Sequence, residues 1–155
     1  MGLFDAASCR LAPVQATGEQ VTKIWERLYL GNLKDAEKLA RFNPQRITTV
    51  LSLCRDQAVH RAPKITYIHI PIPDSLPISA QNFEDIMFAM AIGLRRGNLL
   101  VHCLAGMNRS PIMVAAWLHR CGYKGVDKAL SEIGELRDLA TAHILLSSVK
   151  HLLGQ

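Results

Sequence analysis

Cys103 and Arg109 stand with five residues between them in the stretch Val101-His102-Cys103-Leu104-Ala105-Gly106-Met107-Asn108-Arg109-Ser110. A thiol becomes a strong nucleophile once ionised, and a guanidinium offers a planar pair of donors to an oxyanion. The flanks indicate how the two are carried. Asn98-Leu99-Leu100-Val101 is an apolar run that predicts a short buried strand, and Pro111 to Leu118 predicts a helix. The intervening loop therefore enters a helix N-terminus. Unpaired backbone N–H groups and the helix dipole favour an anion there, and a phosphate monoester is the natural candidate.

The remaining loop residues fit the same chemistry. The field that attracts an anion also favours the thiolate form of Cys103. Gly106 can take a positive φ and turn successive N–H groups inward as a nest. Arg109 can grip two phosphate oxygens and hold charge that builds in a transition state. Ser110 is placed to donate its hydroxyl toward the Cys103 sulfur. Pro111 suits the first helical turn, where its missing N–H costs nothing. A phosphate or sulfate ion fits such a loop, formed by Leu104, Ala105, Gly106, Met107, Asn108 and Arg109.

His102-Cys103, five residues and Arg109-Ser110 together resemble the HCxxGxxR[ST] signature of the cysteine-dependent protein phosphatases, and the flanks are similar to the dual-specificity branch. The resemblance covers roughly residues 24–153. Trp25, Leu28-Tyr29-Leu30-Gly31-Asn32 and Ala36 are similar to the family's opening stretch. Ile47 to Leu53 resembles its second strand, and Tyr67 to Asp74 the strand that delivers its acid loop. The resemblance implies an α/β fold: a central, mostly parallel sheet of four to five strands flanked by helices.

It also implies a reaction. Cys103 attacks phosphorus in line, Arg109 and the loop N–H groups hold the equatorial oxygens, and Asp74 protonates the leaving group. Ser110 assists the second step, in which water releases phosphate, and no metal or other cofactor is called for. His102 orders the loop and favours the thiolate. Cys54 matches the position of a cysteine that, in lipid-directed relatives, forms a disulfide with the nucleophile, which makes it a candidate resolving thiol. Its other reading is a small buried hydrophobe. Asp74 could alternatively be an ordinary turn residue after Pro73. Asp56 and Asp85 are weaker rivals for the acid, since Asp85 opens a helix whose dipole accounts for it.

The 155 residues suit one domain, with 1–22 an irregular arm containing Pro13 and Gly18 and 23–155 the catalytic domain. The net charge of +5 favours acidic partners such as phosphoproteins, anionic lipid heads or RNA, or simply a solvated basic surface. Cys9, Cys54, Cys103 and Cys121 show neither a CxxC pair nor zinc-site spacing, which suggests a reducing, cytoplasmic setting. No apolar run is long enough for a membrane span. The start has neither signal-peptide character nor the myristoylation pattern, since position 6 is Ala.

The other elements follow from caps and periodicity. Ile24 to Leu30 predicts an edge hairpin or strand, and Asp35 is expected to cap a short helix reaching about Arg41. Thr48–Leu53 and Ile65–Ile72 predict strands. Ser79 is expected to cap a helix to about Arg95, with Phe83, Ile86, Met87, Met90 and Leu94 as its core stripe. Arg109–Arg120, Val126–Leu136 and Ala142–Leu153 predict helices, and Ser148, Lys150 and His151 read as solvated positions. Cys121 reads as packing.

Three functions are consistent with these residues. The first is a phosphatase of phosphotyrosine and phosphoserine/phosphothreonine proteins. Leu104, Ala105, Met107 and Asn108 carry no charge, whereas inositide-directed relatives often place Lys at these positions, which favours a single phosphate. The second is an RNA 5′-triphosphatase or a phosphoinositide phosphatase, since Asn108 resembles the Asn of the RNA-directed HCxxGxNR[ST] loop. The third is a non-catalytic phosphate-binding module.

Overall fold

The computed structural model describes residues 21–123 and 125–155. The expected arm therefore lies outside the described residues up to position 20, and Thr22 already belongs to the sheet. Strands β1 (Thr22–Trp25) and β2 (Leu28–Gly31) are followed by helix α1 (Leu33–Lys38), β3 (Ile47–Ser52) and β4 (Thr66–His69). Helix α2 (Ala80–Arg96), β5 (Asn98–His102), α3 (Arg109–Arg120), α4 (Val126–Leu136) and α5 (His143–Leu152) complete the chain. The five strands form one sheet in the order β1-β2-β5-β3-β4. Among the described strands only the β1–β2 hairpin is antiparallel.

The central place of β5 follows from its composition. Leu99, Leu100 and Val101 are all completely buried, as a parallel strand covered on both faces requires. Leu99 and Val101 join the larger core built with α2, α3, α4 and α5. Leu100 points the other way, into a smaller core with Tyr29, Val50 and the α1 residue Ala36. The stripe Phe83, Ile86, Met87, Met90 and Leu94 of α2 lies in the larger core, as its periodicity predicts.

Register sets the position of the site. Gly31 of β2 and Ser52 of β3 both pair with His102 of β5, so three parallel strands end level. Chain leaving any of them emerges at the same rim of the sheet.

Three local expectations are corrected. Asn32, not Asp35, caps α1: its side chain accepts the Asp35 N–H at 2.9 Å while the Asp35 carboxylate accepts the Asn32 N–H at 2.8 Å. This reciprocal box satisfies two terminal donors at once, and the helix stops at Lys38 rather than Arg41. The predicted strand 65–72 is regular only over Thr66–His69, although Ile70 and Ile72 still donate to Ser52 and Leu53 carbonyls at 3.0 Å. Ser148 is not a solvated position, because its hydroxyl bonds both the N–H and the carbonyl of Ile78. Lys150 pairs with Asp127.

Gly97 turns the chain from α2 into β5 with φ of +153° and ψ of −140°, a region open essentially to glycine alone. A Cβ there would stand 2.6 Å from Thr48 Oγ1. Gly97→Ala is expected to lower the unfolding free energy by about 1–3 kcal/mol in a urea titration. A change below about 0.5 kcal/mol, ordinary for a surface site, would contradict this reading of the turn.

Candidate active site

Cys103 is the first residue past β5, and the loop it opens is fixed by its carbonyls. The Leu104 carbonyl accepts from Leu33 N–H at 3.2 Å, the Met107 carbonyl from Ala140 N–H at 2.9 Å, and the Cys103 carbonyl faces His102 Nδ1 at 3.2 Å. A planar trans peptide points its N–H opposite to its carbonyl. The N–H groups of Leu104, Ala105 and Asn108 are thereby aimed away from these supports. Gly106 has φ of +69°, and a Cβ on it would stand 2.7 Å from the Gly31 carbonyl oxygen and 2.5 Å from Arg137 Nη2.

Arg137 is the residue that the sequence reading missed. At the end of α4 it looks like an ordinary basic residue in a loop. Instead its guanidinium donates to the Leu30 carbonyl at 3.1 Å and to Thr22 Oγ1 at 3.2 Å, tying α4 to the β1–β2 hairpin under the loop. Burial pushes it below the usual arginine range, while the charges of Asp35 and Cys103 pull the other way. Asp35 is itself 2% exposed, and burial raises its carboxyl above the usual range against the lowering effect of the Asn32 N–H and Arg137.

Inside the loop, Cys103 Sγ lies 3.2 Å from Ser110 Oγ, and both residues are buried. Arg109 is buried too; its Nη1 donates to the Ile72 carbonyl at 3.2 Å and its Nε lies 3.4 Å from Asp74 Oδ1. Asn108 occupies the N-cap of α3 yet makes no side-chain bond to that helix. Arg109 and Ser110 open α3, so their N–H groups have no acceptor within the helix, and Pro111 contributes none. Leu104 and Ala105 are exposed and Met107 is half-buried.

Asp74 comes from the connection between β4 and α2, which is held at both ends. Ile72 is buried and bonded through both its N–H and its carbonyl, and Ile78 is buried against Ser148. Between these anchors Asp74 reaches the loop: Asn108 Nδ2 donates to its carbonyl at 2.5 Å and to its Oδ1 at 2.8 Å. Its side chain remains 64% exposed. The rivals are occupied elsewhere. Asp85 accepts from Gln81 along α2, and Asp56 is joined to this region through its backbone carbonyl, which accepts the Cys54 thiol at 3.0 Å.

Cys54 is the second residue past β3, at the same rim, and is a buried free thiol like Cys103. Burial pushes it up, the Ser52 hydroxyl and Arg109 oppose that, and the charge of Cys103 reinforces it. Cys121 lies outside this cluster, against the core, with its thiol pushed up to about 11 by burial. Among the described residues no cluster of His, Cys, Asp or Glu could hold a metal ion. No helix among them is long and apolar enough to cross a membrane.

A nucleophile-bearing anion loop with an acid held beside it can carry out two-step phosphoryl transfer. Comparison with known proteins points the same way. Residues 28–146 match the family model described as dual specificity phosphatase, catalytic domain. Mouse dual specificity protein phosphatase 15 is 32% identical over 130 residues, covering 79% of this chain and 53% of that protein. Human dual specificity protein phosphatase 22 is 33% identical over 132 residues, covering 82% of this chain and 70% of that protein. The crystal structure of DUSP15 superposes with a TM-score of 0.70 at 30% identity, covering 86% of this chain and 84% of that one. The chain thus spans about half the length of the mouse relative.

His102 is 1% exposed, and its Nε2 has no hydrogen-bond partner among the described residues. Burial first, then the positive charges of His69 and Arg109, hold its imidazole below the ordinary 6.5. The unfolded chain therefore takes up a proton at a pH where the folded chain does not, and the associated stability, full above 6.5, is lost as pH falls through the lowered folded value. Unfolding free energies measured between about pH 7.5 and about pH 5 should fall more for the native chain than for His102→Gln. Parallel profiles would show that His102 is not the group responsible.

Proposed function

Because this chain belongs to the dual specificity phosphatase catalytic-domain family, we propose that it hydrolyses phosphate monoesters on phosphotyrosine and phosphoserine/phosphothreonine proteins through a phosphocysteine intermediate. The observation that carries the proposal is the assembly of Cys103, Ser110, Arg109 and Asp74 around one carbonyl-anchored loop. The Cys103 thiolate forms the S–P bond as the P–O bond to the substrate breaks, and the departing oxygen takes its proton from Asp74. Arg109 and the loop N–H groups of residues 104–109 hold the equatorial oxygens. Water then attacks phosphorus and gives its proton to the Asp74 carboxylate, while the Ser110 hydroxyl donates to the departing Cys103 thiolate. In this reading Thr22 onward forms the catalytic domain, phosphorylated proteins are the partners and the setting is cytoplasmic.

The proposal assigns Cys54 a redox role at the same rim. Hydrogen peroxide would convert the Cys103 thiolate to a sulfenic acid. The Cys54 thiol would then attack the Cys103 sulfur, forming the S–S bond as the S–O bond breaks and giving its proton to the departing hydroxide, which leaves as water. Native chain inactivated by peroxide should regain activity with dithiothreitol, whereas Cys54→Ser should recover markedly less. Equal recovery would leave Cys54 as packing only.

Turnover of phosphotyrosine and phosphothreonine peptides, a 5′-triphosphate RNA and an inositide tests the main reading. Peptide hydrolysis should vanish in Cys103→Ser and slow by about 10²–10⁴-fold in Asp74→Asn, the usual contribution of a positioned general acid. Turnover confined to the RNA or the inositide would move the function to those substrates. Binding without turnover of any of them would leave a phosphate-binding module.

A further inference from the structure

Asn108 is the loop residue whose side chain faces neither substrate nor its own helix. Its amide nitrogen donates to the Asp74 carbonyl at 2.5 Å and to Asp74 Oδ1 at 2.8 Å, and its amide oxygen accepts the Ala142 N–H at 2.6 Å. The residue is 8% exposed. A primary amide has two donor hydrogens, and both are directed at Asp74. None remains for a bound phosphate. The side chain instead joins three segments distant in sequence: the acid loop, the anion loop and the connection between α4 and α5.

We propose that Asn108 is the positioning residue for the general acid, acting through Asp74 rather than on the substrate, and that it selects which carboxyl oxygen carries the proton. Asn108 Nδ2 and Arg109 Nε both lie on the Oδ1 side, at 2.8 and 3.4 Å. A proton on Oδ1 would meet these donors head-on, so it resides on Oδ2. In the first chemical step the Oδ2–H proton passes to the substrate oxygen as the P–O bond breaks and the S–P bond forms, leaving Asp74 as the carboxylate. This assignment rests on the phosphatase reading above. It also gives Asn108 a reason to be present that involves no nucleic acid.

Protonation matters most where the leaving oxygen is basic. Seryl, threonyl and unactivated phenyl esters therefore depend on the Asn108 contact, whereas an activated aryl ester does not. Asn108→Asp keeps an acceptor for Ala142 N–H and replaces the donor facing Asp74 with an oxygen; Asn108→Ser is too short to span either contact. In both variants kcat on phenyl phosphate should fall by about 10²-fold, the cost of misplacing a reacting group by roughly an ångström. On para-nitrophenyl phosphate kcat should fall at least about 10-fold less than on phenyl phosphate, because an activated leaving group needs little acid assistance. Any change in KM should be the same on the two esters, and Asn108→Asp added to Asp74→Ala should not widen the gap between them further. Equal losses on the two esters, a raised KM with kcat intact, or a wider gap in the double variant would overturn the proposal.

Deuterium exchange of the 71–78 segment gives a readout independent of turnover. It should speed up in Asn108→Asp, and unchanged exchange would also overturn the tether. If the native chain turned over neither ester while exchange responded as expected, the phosphatase reading would fail and the tether would stand.

Discussion

The loop after β5 depends on carbonyls that are held from outside it. Leu33, Ala140 and the His102 ring reach the Leu104, Met107 and Cys103 carbonyls, respectively, from three different parts of the chain, and peptide planarity points the N–H that follows each carbonyl the opposite way. No cationic side chain apart from Arg109 is then required to make the concavity attractive to an anion. The donors are fixed before any ligand arrives, so no free energy is spent orienting them during reaction.

What keeps the external bonds in place is the level ending of β2, β5 and β3. Gly31 pairs with His102, which brings the start of α1 against the loop and lets Leu33 reach it. The close approach leaves no room for a side chain at position 106 and places the buried Asp35 and Arg137 beneath. Two oppositely charged groups buried near one another are costly to desolvate, and removing one would strand the other. Their cost is offset by the bonds of Arg137 to Leu30 and Thr22, which fasten the edge hairpin to α4.

The sequence made the local parts of this arrangement legible. The unbroken apolar run of β5, the Ser79 cap of α2 and the Cys-to-Arg spacing carry their meaning within a few residues, and the mostly parallel sheet was expected from the family resemblance. The α1 cap was misassigned because Asn32 and Asp35 satisfy each other's backbone, so either residue type signals a helix start. Arg137, Ser148 and the side-chain bonds of Asn108 were not legible. Their partners lie 107, 70 and 34 positions away, and which segments meet at those separations is decided by packing. Asn108 drew attention as a residue type, but its role depends on where the acid loop lands.

Burial changes steeply across the site, and this bears on what the proposed reaction accepts. Cys103 is 2% exposed at the floor, Arg109 8%, and the Asp74 side chain 64% at the opening. Charge that builds on a phosphoryl group would sit where water is excluded and fixed dipoles act most strongly. The leaving group would depart at the rim, beside a carboxyl close to solvent. A site so divided recognises the phosphoryl group closely and what bears it loosely. If the proposed substrates are phosphorylated proteins, discrimination among them falls to exposed residues of the segments that carry the site, such as Leu104 of the anion loop and Leu76 of the acid loop, which are 52% and 56% exposed. Apolar side chains so exposed would reward contact with the neighbours of a phosphorylated residue more than with the residue itself.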